Sequence, residues 1–291
     1  MGHKNKLSMV AQVKHTLDSK LAIGESKHQA KKAGTAHQHI YSWGTYKSYL
    51  NQGCKFAKWA KETYKCKDLS SARQHVDEYL ERSRALSPYT QKLYASSLAK
   101  LYSCSSKDFN IKTDDRSRAD ITRSRGERIR DKHFSEKRNQ ELINFCKSTG
   151  LRRSELETLK GNQLIEKDGS FFIGVKGKGG RYREAPVINE VKLVVDRMRE
   201  AGENKVWGKV HNAADIHSYR GYYATSMYKS LARERNEIPK EDRYCCRIEL
   251  SGVWYDKQAM LKVSQALGHN RISVIAGHYL NASETIEISE E

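Results

Sequence analysis

The sequence predicts a mainly α-helical protein of two domains: a basic helical domain, then a mainly α domain with one small β element. Three observations predict it. Apolar residues recur at helical spacing through most of the 291 residues. Two short strand-like runs flank a single Lys-Gly-Gly turn. A charged stretch almost free of large apolar side chains separates the two patterns near 105–130.

In chain order, residues 1–38 read as a polar, basic appendage with one helix around 8–21. Residues 42–64 read as a long amphipathic helix, because Tyr46, Tyr49, Leu50, Ala57, Ala60 and Tyr64 fall at helical spacing. On that helix Lys47, Lys58, Lys61 and Lys65 lie within roughly 60° of one another at about 100° per residue. Such a stripe either faces phosphates or is simply solvated. A second helix is expected over 72–83. A third starts at Ser87-Pro88, with serine as N-cap and proline at the first helical position. Residues 39–118 thus form a compact, all-helical, basic domain, with its boundary in the charged linker.

Residues 119–291 form the second domain. Helices are expected over 136–148, with Gly150 as C-cap, and from about Ser154. Strands follow over 171–175 and 182–188 around Lys178-Gly179-Gly180, then helices over 191–201, 216–231, 256–267 and 272–280.

Composition excludes several classes. No apolar run approaches the roughly 18 residues of a bilayer span, so no membrane association is expected. The N-terminal segment lacks the apolar stretch of about 7–15 residues that a secretory signal needs. Six cysteines without a CxxC pair read as reduced thiols of a cytoplasmic protein. Lys and Arg number 53 against 35 Asp and Glu, a net charge of +18. The excess is +11 over 1–100, +9 over 101–250 and −2 over 251–291. A field spread over most of the chain implies a polyanionic partner, nucleic acid before anionic membrane.

There is no GxxxxGK[ST], GxGxxG, HExxH or GxSxG. Cys245-Cys246 with His211 or His217 matches no common zinc spacing, so the thiols read as inert and no metal or cofactor is expected. Scattered cationic, His and Tyr groups remain. Arg152, in TGLRRSEL, stands at a helix start, beside free backbone N–H groups suited to a phosphate. Lys178, in VKGKGG, sits at a hairpin tip where it can hold out a proton donor. His217 and Arg220 are three apart, on one helical face. His269, in LGH, precedes Tyr279 by ten residues. A tyrosine hydroxyl can attack phosphorus and store the bond as a phosphotyrosine; the alternative for Tyr279 is a buried core residue.

The order Arg, Lys, His-x-x-Arg, Leu-Gly-His, Tyr over residues 152–279, carried by TGLRRSEL, VKGKGGRYREAPV and LGHNRISVIAGHYL, resembles the tyrosine recombinases, or phage-type integrases. The likeness covers the second domain, and the helical domain at 39–104 looks like that family's core-binding domain. It implies a site-specific recombinase that cuts and rejoins DNA through a 3′-phosphotyrosyl link, integrating or excising a mobile element without metal or cofactor. Arg152 and Arg220 would bind the scissile phosphate, and Lys178 (with Lys176 as rival) would protonate the leaving 5′-hydroxyl. His217 would accept the tyrosine proton, His269 would hydrogen-bond a phosphate oxygen, and Tyr279 would be the nucleophile. Glu155 either orients an arginine or is a plain surface residue. Partners implied are double-stranded DNA, a homo-tetramer on paired sites, and accessory DNA-bending proteins. Type IB topoisomerase chemistry and an inactive DNA-binding module are the rival readings. The 49 residues from Arg220 to His269 suggest an insertion over 233–256, either a DNA or partner contact or a loop. The acidic tail over 282–291 suggests a trans contact between protomers or a frayed end.

Overall fold

The computed structural model describes residues 7–117, 134–177, 180–269 and 271–280. They fall into two compact units, divided between Asp120 and Ile121. The chain is mainly helical with a small antiparallel sheet, as the sequence predicts.

In the first unit, α1 (Met9–Asp18) is capped by the Ser8 hydroxyl, which accepts from Ala11 N at 3.2 Å. It buries Met9, Val13 and Leu17, one residue per turn. A short α2 (Lys27–Lys32) and a parallel bridge between Leu21 and Ile40 lead into α3 (Trp43–Tyr64), which is capped by Ser42. Helix α1 lies on α3 at Gly53, where an added Cβ would stand 2.8 Å from Val13 Cγ1. The head is therefore not the expected appendage, because its first helix supplies three side chains to this unit's core.

The helix expected over 72–83 is broken. Asp68 caps a single turn, α4 (Leu69–Ala72), and a 3-10 turn precedes α5 (Val76–Glu81). The tightening falls where His75 stacks flat on Tyr64, with centroids 3.6 Å apart. Helix α6 (Pro88–Leu101) starts at Ser87 as expected. The start of the predicted linker also belongs to this unit. Phe109 and Ile111 pack on the core, Asn110 binds Asp77, and Asp114 accepts from Gln91 at 2.6 Å and from Arg84 at 3.0 Å. The rest of the linker, 118–133, lies outside the described residues.

In the second unit, α7 (Gln140–Thr149) ends at Gly150, whose φ of 58° is left-handed. Helix α8 (Arg153–Leu156) is a single turn. The sheet runs β1 (Leu164–Lys167), β2 (Ser170–Lys176), β3 (Tyr182–Pro186), all antiparallel, with Val175 opposite Arg183. Strand β1 goes unread in the sequence because four residues, two half-buried and two exposed, are too few to show alternation. Then come α9 (Val191–Ala201) and α10 (Ile216–Leu231), at the expected bounds. The stretch over 233–256, expected as an insertion, contains a strand pair of β4 (Arg243–Cys245) and β5 (Trp254–Asp256). Arg233 closes it, donating from Nε and Nη2 to the buried Asp256 carboxylate at 2.9 Å each. Helices α11 (Lys257–Ala266) and α12 (Ser273–His278) complete the unit. One core gathers around Phe145, Leu151, Ile173 and Met198, another around Tyr223, Tyr255, Met260 and Ile275.

Candidate active site

A helix of n residues leaves its last carbonyls without intrahelical donors, and its dipole makes that end negative. The end of α11 meets this need with three guanidinium groups. Arg183 Nε donates to Ala266 O at 2.9 Å. Arg152 Nη2 donates to Leu267 O at 2.9 Å and to Gly268 O at 3.4 Å. Arg220 Nη2 also donates to Leu267 O, and its Nη1 to Gly150 O. Three cations from three elements therefore converge on one helix terminus.

One carboxylate organises two of them. Glu155 accepts from Arg183 Nη1 and Nη2 at 2.6 and 2.9 Å, from Arg152 Nη1 at 2.9 Å and from Arg152 N at 2.7 Å. Burial opposes its charge, but Arg183 foremost and then Arg152 outweigh burial and hold its pKa down to about 2. Glu155 is thus buried and orients arginines; it is not a surface glutamate. Close backbone approach makes room for the cluster. At Gly268 (φ 67°) a Cβ would stand 2.9 Å from Arg183 Cδ, and at Gly177 one would stand 3.2 Å from Arg152 Nη1.

Tyr279, just past α12, brings its hydroxyl to this cluster. It accepts from Arg220 Nε at 3.1 Å and lies 3.2 Å from His269 Nε2. His217, exposed in the first turn of α10, has its ring centroid 5.6 Å from that of Tyr279. Burial first, then the charges of Arg220, Arg152 and Arg183, push the His269 pKa down to about 4, so the imidazole is neutral near pH 7. Burial lowers that of Arg220 to about 10, which leaves it charged. Around the hydroxyl, among the described residues, three guanidinium groups face one carboxylate, which bonds Arg152 and Arg183 and leaves Arg220 without an acidic partner, a site poised for an anion.

The structure therefore brings together Arg152, His217, Arg220, His269 and Tyr279, with Glu155 beside them. Lys178 lies outside the described residues. Its neighbour Gly177 abuts Arg152, while the rival Lys176 is exposed at the end of β2. Lys47, Lys58, Lys61 and Lys65 belong to the first unit and are all exposed. Lys65 falls just past α3, at a left-handed φ of 56°, with Nζ on Glu62 O at 3.0 Å. The tail over 282–291 lies outside the described residues. Sequence reasoning missed Arg183. Its signal was strand phase, since 183, 185 and 187 point inward together, and an arginine in that row demands a buried partner. Among the described residues, no cluster of three His, Cys, Asp or Glu could hold a metal.

No protein-family model and no curated protein sequence matches the chain. Solved structures do. A XerH site-specific recombinase bound to palindromic difH substrate, in a post-cleavage complex, superposes with a TM-score of 0.57 at 17% identity, covering 93% of this chain and 91% of that one. XerH bound to difH in a pre-cleavage complex gives 0.54 at 15% identity, covering 97% and 96%. The chain has the fold of the tyrosine recombinases.

Proposed function

We propose that this chain is a tyrosine recombinase that cuts and rejoins DNA at specific sites, in the integration or excision of a mobile element. The observation that carries the proposal is the Tyr279 hydroxyl held between Arg220 Nε and His269 Nε2, on the helix end that also anchors Arg152. In this reading Tyr279 oxygen attacks the scissile phosphorus, its proton passing to His217. Each guanidinium has five N–H donors, so those of Arg152 and Arg220 not spent on carbonyls, on Glu155 or on the Tyr279 hydroxyl bind the non-bridging oxygens as charge builds. Neutral His269 donates to a phosphate oxygen. The phosphorus–5′-oxygen bond breaks, Lys178 gives a proton to the leaving 5′-oxygen to form the 5′-hydroxyl, and a 3′-phosphotyrosyl link remains. Attack by a 5′-hydroxyl reverses these steps and rejoins a strand. The first unit acts as the core-binding domain, with the α3 lysines on the phosphate backbone and four protomers on paired sites.

Covalent trapping tests this. Lightly nicked genomic fragments are incubated with wild type and Tyr279→Phe without added metal, then denatured. A nick beside the cleavage point lets the released strand diffuse away, so the adduct accumulates. A protein–DNA adduct in wild type that is absent from Tyr279→Phe is expected. DNA bound tightly without any adduct would overturn the enzymatic reading.

A further inference from the structure

Arg153, next in sequence to Arg152, points the other way. Its Nη1 donates to the carbonyls of Val210 and His211 at 3.3 and 3.1 Å, and its Nη2 to those of Asn212 and Ala214 at 3.5 and 2.7 Å. The turn over 210–214 is wound so that four main-chain oxygens face one guanidinium. Ala214 N donates to His211 O at 3.1 Å, and Ala213 N to His211 Nδ1 at 3.0 Å. Directly after the turn, the Asp215 carboxylate caps α10, accepting from Ser218 N at 3.3 Å. His217 stands in the first turn of that helix, and Arg220 in the next.

From this geometry we infer that Arg153 is a positioning residue, which fixes the start of α10 and so the place of His217 relative to Tyr279. The inference rests on the proposed function, in which His217 takes the tyrosine proton. Adjacent arginines thus divide the work: Arg152 faces the end of α11, and Arg153 ties the same short helix to the element bearing the base. Only a planar fork reaches both halves of the turn. A lysine ammonium at one point could not hold carbonyls on each side of it. Because all four acceptors are main chain, the contact reads the shape of the turn and not its side chains. Displacing a reacting group by about 1 Å can cost on the order of 10²-fold in rate.

A double-mutant cycle separates positioning from general support. Single-turnover adduct formation on nicked genomic fragments is measured for wild type, Arg153→Lys, His217→Ala and the double variant. Arg153→Lys should slow the reaction about 10–100-fold where His217 is present, and less than about 2-fold where it is absent. Equal slowing in both backgrounds would overturn the inference and leave the recombinase reading intact. No adduct in wild type would overturn that reading and this inference together. A second measurement does not need activity. Amide exchange over 210–216 should speed up in Arg153→Lys while the sheet and α7 exchange as in wild type; unchanged exchange over that segment would also overturn it.

Discussion

Arg220 donates from Nε to the hydroxyl of Tyr279, 59 residues further along the chain, at 3.1 Å. The same guanidinium holds carbonyls of Gly150 and Leu267, so its plane is set before any ligand arrives. A donor fixed in this way needs little reorganisation when charge develops nearby. Replacing Arg220 by Lys keeps the charge but loses the fork, and adduct formation should fall on the order of 10²–10³-fold. Single-turnover trapping with the nicked fragments measures it, and a rate within a few-fold of wild type would refute the role.

Glu155 ties acid stability to the cluster. Its pKa is held at about 2 against an ordinary 4.5, so the stability it contributes is complete above pH 4.5 and is lost as pH falls toward 2. Glu155→Gln leaves buried Arg183 without its carboxylate and should cost on the order of 3 kcal/mol at neutral pH. The gap between the two proteins should close as pH is lowered through that window, as urea unfolding at stepped pH would read out.

His269 should stay neutral far below the usual histidine range. With a folded pKa of about 4 against 6.5, the stability it lends is complete above pH 6.5 and drains away as pH falls toward 4. In the free protein, the His269 imidazole resonances should move by no more than about a tenth of their full range between pH 8 and 5. A midpoint near 6.5 would contradict the burial and charge that surround it.

Gly268 combines a left-handed φ of 67° with a Cβ position 2.9 Å from Arg183 Cδ. Gly268→Ala should therefore lose about 1–3 kcal/mol and slow adduct formation, since strain and a displaced guanidinium act at one point. Gly169, also left-handed at φ 71° but with no described atom within 4 Å of its Cβ position and outside the candidate site, is the control. Gly169→Ala should cost the strain alone, and equal activity losses in the two variants would rule out the packing argument.

The lysine stripe on α3 predicts a salt effect. If about six phosphates are neutralised overall, DNA affinity should fall on the order of 10³-fold between 50 and 200 mM salt. Replacing Lys58 and Lys61 together by Ala should flatten that dependence by about 0.9 log units per lost contact. An unchanged slope would mean that these lysines are only solvated.

Local order was legible in the residues themselves. Ser87 and Gly150 mark helix ends because a cap acts over three or four positions, and the 191–201 and 216–231 helices show their periodicity directly. The broken segment after Asp68 was not legible, since the turn there answers to Tyr64 stacking on His75. Nor was the docking of α1, which depends on Gly53 admitting Val13.

The sequence by itself determined the candidate groups from Arg152 to Tyr279 and the order in which they come, because motif spacing and helix phase are local properties of the chain. It did not single out Arg183. Only the tertiary structure decided that Arg152, Arg183 and Arg220 converge on the carbonyls of residues 266–268, and that Glu155 pairs with Arg183. The physical reason is that the acceptors are main-chain oxygens, alike in every residue, so no side chain announces them until the fold brings a helix end to the arginines.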